Sequence, residues 1–231
     1  MGLRIPKGES IVHPRSHCPK CQRTLTTLDL IPVLSYLMLR GKCRGCSLKI
    51  SPIYPIIEVG TAALFTIAPL LVGWSKELLV AWTLISLLVI IFISDLHYSI
   101  IPNKVLLFFG GVLLVLRLIV SPLQPWWDPL LGAFLGFTLL LLISIVSKGG
   151  MGGGDIKLFA VIGLVLGWKG LLLAFFISNL CGTIMGLIGM MLGKVKRGKP
   201  FPFGPAIALG TLFTYFYGEQ MIAWYIALIT Q

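Results

Sequence analysis

Residues 78–94 of the chain read LLVAWTLISLLVIIFIS, seventeen positions without a charged side chain. An α-helix needs about 20 apolar residues to cross the hydrocarbon layer of a bilayer, so this stretch can form most of a membrane-spanning helix. Comparable uncharged runs recur along the rest of the chain, at residues 59–75, 129–147, 170–193 and 200–218. The recurrence predicts a protein that crosses the membrane several times.

The composition excludes a water-soluble fold. Of the 231 residues, 57% are hydrophobic and 12% are charged, which is about half the charged share of an average soluble domain. A soluble domain of this length would expose more polar surface than this set of charged side chains supplies. The sequence therefore predicts an integral membrane protein.

Three weaker apolar stretches complete the expected set of helices. Residues 105–120 contain one charged residue, Arg117, whose guanidinium we expect to reach the lipid headgroups. Residues 156–168 are too few for a full crossing and predict a short, inset helix. Residues 219–231, after Gly218 and Glu219, predict either the broken second half of the last helix or a separate surface helix. The predicted fold class is all-α, a polytopic membrane bundle of about seven transmembrane helices.

The basic residues are distributed unevenly between the two sides of this bundle. The chain has 19 Lys and Arg against 8 Asp and Glu. With residues 1–52 placed in the cytoplasm, sixteen basic residues fall in inner segments and three in outer segments. This asymmetry follows the positive-inside rule and predicts a cytoplasmic N-terminal region. It also explains most of the net charge of +11 without nucleic acid, which we do not expect as a partner.

Two Cys-x-x-Cys pairs in the N-terminal region predict a metal site. Cys18 and Cys21 form the first pair, and Cys43 and Cys46 form the second, with 21 residues between the two pairs. Four thiolates are what a tetrahedral structural Zn²⁺ site requires, and Gly45 is expected to allow the tight turn of the second pair. A redox or free-thiol role is the alternative for these cysteines.

The charge distribution also predicts where the chain divides. Residues 1–50 hold eleven of the charged residues, and the 181 residues after them hold sixteen. We therefore expect a small cytoplasmic zinc-binding subdomain at 1–52 and a membrane domain at 53–231. Residues 28–39 are apolar but too few to span, so they are expected to lie on the membrane face beside the metal site.

Two aspartates are candidates for catalysis. Asp95 follows the apolar run ending at residue 94, and Asp155 follows the glycine-rich segment 149–154. The intervening chain crosses the membrane outward once and returns once, so both aspartates are expected at the inner face. Ionisable groups at this depth are costly and are usually functional. Two carboxylates that share a proton can activate water against a peptide carbonyl.

The same segments have structural alternatives. Asp155 after a glycine run could be only the N-cap of the following helix. The glycines lack the spacing of a phosphate-binding loop, and we expect Gly152, Gly153 and Gly154 to form an unencumbered wall for an extended substrate, with φ > 0 where the chain enters the helix. Glu58 could contact the substrate or the methyl donor of a modifying reaction, but a pairing with the adjacent basic loop is the preferred interpretation.

Several segments together carry a resemblance to a known family. They are GESIVHPRSHCPKC at 8–21, DLIPVLSY at 29–36, the second Cys pair, SPIYPIIE at 51–58, the segment from Asp95 to Asn103, GMGGGDIK at 150–157 and PFGP at 202–205. Over nearly the whole chain, this pattern resembles the bacterial type 4 prepilin peptidases. It is most similar to the members that serve DNA-uptake pseudopili.

The resemblance implies an inner-membrane aspartic endopeptidase that removes the short leader of prepilin or pseudopilin precursors after a glycine, on the cytoplasmic side. It implies Asp95 and Asp155 as the catalytic pair and the four paired cysteines as the family's cytoplasmic cysteines. It also implies N-methylation of the new terminus with S-adenosylmethionine. Lys157, within the GMGGGDIK segment, is a weaker candidate for a substrate contact, as are the three glycines and Glu58.

The chain departs from the family pattern at its start. Members usually begin with a further transmembrane helix before an Arg-Leu-Pro stretch, whereas this sequence opens with MGLRIP. Seven helices are therefore expected in place of eight. Methylation is the activity that this difference affects most.

The roles of the two aspartates can be ordered by helix dipoles, as a hypothesis. Asp155 is expected at a helix N-terminus, where its ionised form is favoured, and Asp95 at a helix C-terminus. We therefore expect Asp155 to act as the base toward water and Asp95 as the acid toward the carbonyl. Two other classes remain open from the sequence: a zinc-stapled membrane scaffold of the secretion or DNA-uptake machinery without hydrolysis, and a transporter.

Overall fold

The structure is a computed structural model that describes residues 4–8, 10, 13, 15–148, 150–193 and 202–229. The basic segment 194–199, which contributes to the predicted inner charge, lies outside these residues. Helices dominate the described part of the chain, and the segments between them are turns and short extended stretches. Their bounds are α1 Leu34–Met38, α2 Ile53–Val72, α3 Glu77–Tyr98, α4 Asn103–Val115, α5 Asp128–Val146, α6 Gly153–Met191 and α7 Gly204–Ile229.

The helices are long and apolar enough for a membrane protein. Within the described residues, α2, α3, α4 with its following π-helical turn Leu116–Val120, α5 and α6 each meet the length and hydropathy of a membrane span. Helix α7 extends over 26 residues, so the apolar run after residue 218 continues the last helix, but the break expected near Gly218 is absent from this helix. The all-α membrane fold class is confirmed.

Helix α6 is a hairpin of two antiparallel legs. At Gly167 the backbone leaves the helical region, with φ 69° and ψ −179°. The rings of Phe159 and Phe175 are 5.8 Å apart, although sixteen residues of straight helix would separate them by about 24 Å. Residues 153–166 therefore form a first leg and residues 168–191 a second. This confirms the two separate spans predicted at 156–168 and 170–193.

Glycines bring the first leg of α6 into close contact with α5. A Cβ at Gly132 would overlap the carbonyl group of Gly163, and one at Gly136 would overlap the carbonyl group of Phe159. Such small-residue contacts let helices approach closely in membranes, where apolar side chains gain little by leaving lipid. The short leg is thus held between its longer neighbours.

A buried polar cluster joins four elements at the end of the bundle far from Asp95. Arg117 is 3% exposed and donates to both carboxylate oxygens of Glu77, at 2.6 and 2.8 Å. Ser121 and Tyr215 donate to the same carboxylate at 2.6 Å each, and Arg117 Nε donates to the carbonyl oxygen of Val165 at 2.9 Å. The expectation that Arg117 reaches the headgroups is wrong, because Glu77 satisfies it inside the protein.

The hairpin of α6 can be tested by replacing Gly167. A residue with a Cβ at this position would have to adopt a positive φ of 69°, and its Cβ would overlap the carboxylate of Asp128. We expect Gly167→Ala to lower the free energy of unfolding by at least about 2 kcal/mol, measured as a fall in thermal midpoint in detergent. Gly111→Ala, in a helix with open space around it, is the control and should leave the midpoint nearly unchanged. Equal midpoints for the two variants would contradict the hairpin.

Candidate active site and metal centre

Three helix ends meet at one end of the bundle. Asp95 lies three residues before the end of α3, and Asp155 is the third residue of α6. Lys157 Nζ donates to Asn103 Oδ1 at 2.9 Å, which ties the start of α6 to the start of α4. A Cβ at Gly154 would overlap the side chain of Ile101, so the connection between α3 and α4 also packs closely on α6.

Asp95 is buried and is held by the start of the last helix. Asp95 is only 6% exposed. Its Oδ2 accepts a hydrogen bond of 2.6 Å from the backbone N–H of Gly204. Gly204 is the first residue of α7, where the backbone N–H groups have no partners within the helix. A Cβ on Gly204 would lie 2.8 Å from Asp95 Oδ2, so no larger residue fits without displacing the carboxylate.

Asp155 has a related environment at the start of α6. The N-cap of this helix is Gly152, so Asp155 lies inside the first turn and the N-cap interpretation of it is wrong. A Cβ on Gly152 would lie 3.1 Å from Asp155 Oδ2, so this carboxylate lies close to the backbone of the N-cap residue. Each aspartate therefore lies against a glycine at a helix start.

The two carboxylates are close enough for their charges to interact. Asp95 is buried and Asp155 is half-buried, so the pair combines one shielded group with one that solvent can reach. Gly204 belongs to the segment PFGP at 202–205 that contributed to the family resemblance, but its contact with Asp95 was not predicted. The prolines of that segment indicate only a helix start, because proline is suited to a first helical turn.

The glycine-rich segment differs from the prediction in its backbone. Gly152 has φ −69°, and Gly152, Gly153 and Gly154 are all absent from the positive-φ residues of the described chain. The expectation of φ > 0 at these glycines is wrong. They serve close approach instead: Gly154 against Ile101 and Gly152 against Asp155, while Gly153 has open space around its Cα.

Glu58 has a backbone partner. Its Oε2 accepts a hydrogen bond of 2.8 Å from the N–H of Val33, which precedes α1. None of the ion pairs among the described residues includes Glu58, so the expected pairing with the basic loop is absent from that part of the chain. Glu58 joins the N-terminal region to α2.

An apolar groove lies on the side of the bundle. It has a volume of about 720 Å³ and lies between α2, α3 and α4. The α3 residues in its wall, from Leu79 to Ile93, lie on the opposite face of that helix from Asp95. The hydroxyl groups of Thr61, Thr83 and Ser86 in the wall are bonded to carbonyl groups of their own helices.

The four paired cysteines form one cluster in the N-terminal region. Their sulfur atoms all lie within 4.8 Å of one another, and the pairs Cys18–Cys46 and Cys21–Cys43 are 3.7 and 3.9 Å apart. A tetrahedral metal ion with bonds of about 2.3 Å would place its sulfurs about 3.8 Å apart. The cysteines are therefore positioned to hold a metal ion. Cys181 is not part of this cluster.

The two Cys-x-x-Cys segments have the same backbone structure. In the first, Gln22 has φ 57° and its N–H donates to the carbonyl oxygen of Cys18 at 2.9 Å. In the second, Ser47 has φ 55° and its N–H donates to the carbonyl oxygen of Cys43 at 2.9 Å. Gly45 is not left-handed, so the expectation that it creates the turn is wrong. The two segments are repeats of one metal-binding knuckle.

The backbone of the two knuckles also affects the pKa values of the cysteine thiols. The backbone N–H groups of Cys21 and Lys20 point at the sulfur of Cys18 and lower the pKa of its thiol to about 6. Leu48 N–H favours the thiolate of Cys46 as well, but burial and the neighbouring sulfurs raise the pKa of Cys46 to about 11. Four thiolates in one cluster therefore need a bound cation to balance their charge.

Comparison with known proteins identifies the family. A family model described as type IV leader peptidase family matches residues 82–187, and one described as bacterial peptidase A24 N-terminal domain matches residues 1–72. The prepilin leader peptidase/N-methyltransferase of Bacillus subtilis (strain 168) is 49% identical over 225 residues, covering 97% of this chain and 90% of that protein.

The chain belongs to the type IV leader peptidase family.

Other members are similar over most of the chain. The prepilin leader peptidase/N-methyltransferase of Aeromonas hydrophila is 36% identical and covers 94% of this chain and 76% of its own length. The prepilin leader peptidase/N-methyltransferase of Stutzerimonas stutzeri is 31% identical, and the match covers 92% of this chain and 75% of that protein. No solved structure matches the chain. These relatives confirm the resemblance drawn from the sequence and do not favour the scaffold or the transporter.

The geometry of the cysteine cluster predicts one metal ion per chain. Purified protein reloaded with a divalent metal should hold about one ion per chain by elemental analysis. Cys43→Ser should reduce this content to a small fraction, because removing one thiolate opens the tetrahedral site. Cys181→Ser is the control and should keep the full content. A Cys43→Ser variant that binds as much metal as the control would contradict the site.

Proposed function

We propose that this member of the family is a prepilin leader peptidase, with Asp95 and Asp155 as its catalytic pair. The observation that carries the proposal is the meeting of two carboxylates at one end of a membrane bundle, each against a glycine at a helix start. The names of its relatives, prepilin leader peptidases, supply the substrate class, namely prepilin-like precursors with a leader to be removed.

The chemistry is that of an aspartic peptidase. One carboxylate takes a proton from a water molecule as the oxygen attacks the peptide carbonyl carbon, and the other, protonated, donates to the carbonyl oxygen. Collapse of this intermediate breaks the C–N bond, and the leaving amine takes a proton from the pair. The Gly204 amide fixes the orientation of Asp95 during these transfers.

The prediction that Asp155 is the base and Asp95 the acid needs revision. That prediction placed the proton on Asp95 because Asp95 lies at the C-terminal end of α3. The start of α7 now lies against the same carboxylate, and a helix N-terminus favours negative charge. Helix dipoles therefore no longer distinguish the two aspartates, and we treat the pair as one unit that shares a proton.

Zn²⁺ is the metal that we propose for the cysteine cluster. Four thiolates at tetrahedral spacing fit a structural zinc site, and no coordination position is left open for chemistry. We assign it no step in cleavage. N-methylation, with S-adenosylmethionine as the methyl donor, is suggested only by the N-methyltransferase part of the relatives' name, and the glycine-rich segment lacks the spacing of a cofactor loop. No methylation step is assigned to these residues.

The cellular setting is also proposed. The excess of Lys and Arg in the N-terminal region and in the segments on the same side supports an N-terminal region and active site that face the cytoplasm. The family resemblance supports the bacterial inner membrane as the location. We propose residues 1–52 and 53–231 as the two functional divisions, since α2 begins at Ile53.

Replacing either aspartate tests the catalytic pair. Asp95→Asn and Asp155→Asn should each reduce leader removal from a purified prepilin precursor by at least about 100-fold, since each removes a proton-transfer group. The product is weighed by mass spectrometry. Running the assay with and without S-adenosylmethionine would show separately whether a methyl group is added.

Glu219→Gln is the matched control, because Glu219 is an exposed carboxylate on α7. It should keep full activity. Cleavage at the unmodified rate by either asparagine variant would remove that residue from the catalytic pair.

Gly204→Ala tests whether the start of α7 positions Asp95. The added Cβ would displace the carboxylate, and a shift of about 1 Å at a reacting group can lower the rate by about 100-fold. We expect kcat to fall by at least about tenfold while KM changes little.

Gly210→Ala provides the control for packing damage. Gly210 lies on α7 like Gly204 but away from the aspartates, and its added Cβ would overlap Ser178 of α6. Equal losses of kcat in Gly204→Ala and Gly210→Ala would mean that the effect comes from general disruption of α7. A normal kcat in Gly204→Ala would refute the positioning role.

A further inference from the structure

The N-terminal region exposes an apolar surface next to its metal centre. Six large apolar side chains, 39–80% exposed, lie on the short 3₁₀-helix Leu28–Leu30, the turn after it and α1. We call this surface the apolar face, and its members are Leu28, Leu30, Ile31, Leu34, Leu37 and Met38. A contiguous apolar surface of this kind marks an interaction site.

The apolar face has its polar residue inside and its apolar residues outside, the reverse of the arrangement in a soluble domain. Asp29, between two exposed leucines, has a side chain that is only 4% exposed. Its Oδ2 accepts hydrogen bonds from Thr26 Oγ1 at 2.8 Å and from Arg23 at 3.3 Å, and Arg44 of the second knuckle lies 3.6 Å from its Oδ1. The polar residue therefore points into the metal-binding region and the leucines point out. Water would favour the opposite arrangement.

A hydrogen bond fixes the face at a defined level of the bundle. Val33, in the middle of the face, donates its N–H to Glu58 of α2 at 2.8 Å. Glu58 lies five residues after Ile53, where α2 begins, which is about 8 Å along the helix axis. A surface helix buries its apolar side about 5–10 Å into the boundary between headgroups and acyl chains. Measured from the start of α2, the apolar face lies within this range of distances.

The surroundings of the face are basic. Residues 15–51 contain seven Lys and Arg and one acidic residue, Asp29, which is already paired. Arg40 and Lys42 come shortly after α1, and their backbone N–H groups donate to the carbonyl groups of Leu37 and Leu39, respectively. Lys42 and Lys49 pair through their backbones in an isolated antiparallel β-bridge. All three basic residues are exposed, and none forms an ion pair within the described part of the chain.

We propose that the apolar face inserts into the membrane interface and that Arg40, Lys42 and Lys49 bind the headgroups of anionic phospholipids. Basic residues beside an apolar surface are attracted to anionic lipid, each gaining energy near the charged surface. A metal-stapled region that docks in this way is held beside the helix ends that carry Asp95 and Asp155. The proposal concerns lipid and does not depend on the proposed peptidase activity.

Photo-crosslinking in nanodiscs tests this contact directly. The full chain carries p-benzoylphenylalanine in place of Met38, which is 80% exposed, or in place of Leu107 on α4, which is 82% exposed. The discs contain equal parts of phosphatidylglycerol and phosphatidylcholine. After irradiation, the mass of the intact protein identifies which lipid is attached.

At position 38 we expect lipid adducts with a several-fold excess of phosphatidylglycerol over phosphatidylcholine. At position 107 the ratio should follow the bulk composition. The variant Arg40→Gln/Lys42→Gln/Lys49→Gln should bring the ratio at position 38 down to that at position 107. High salt should do the same in the protein with its basic residues intact, so the test does not depend on the folding of the triple variant.

Three results would overturn the proposal. One is the absence of lipid adducts at position 38 while position 107 reacts. A second is crosslinking of position 38 to protein, either within the chain or to a second copy, which would mean that the face is covered by protein. A third is an equal lipid ratio at the two positions, which would remove the anionic headgroups as the ligand.

Discussion

The reversal of α6 at Gly167 is the constraint on which the arrangement of the helix ends depends. The first leg carries Asp155 at its start, and the second leg returns the chain so that α7 begins beside Asp95. A straight helix of 39 residues would instead carry the chain to the other end of the bundle. The left-handed φ of Gly167 and its contact with Asp128 make this turn possible only for glycine.

The few charged groups of the membrane domain satisfy helix ends as well as each other. A helix start leaves backbone N–H groups without partners, and neither these nor a carboxylate can be left unpaired in hydrocarbon. The Asp95 carboxylate and the first amide of α7 meet this need together, as Asp128 and the amide of Trp168 do at the start of the second leg. Each pairing gives a partner both to a carboxylate and to a backbone N–H at a helix start, and it fixes the position of that carboxylate.

Patterns within one segment were predictable, whereas contacts between distant segments were not. Apolar runs and two Cys-x-x-Cys pairs are local, so they gave the helices and the metal site, and crossing number placed Asp95 and Asp155 at one end. The bond between Asp95 and Gly204 joins residues 109 apart, and no local pattern reports it. Arg117 was assigned to the headgroups because the sequence does not show that Glu77 lies opposite it.

The N-terminal region has too small a core to fold by burial alone. Within residues 15–51 only Cys18, Gly41 and Cys43 are buried, while the large apolar side chains are on the outside. Regions of this size need a staple, and metal binding contributes folding energy directly when the ligands come together only in the folded state. The metal can therefore hold the two knuckles, but it cannot cover the apolar face. Covering that face requires a second apolar phase, and the bond from Val33 to Glu58 joins the face to α2, a helix long and apolar enough to span a membrane.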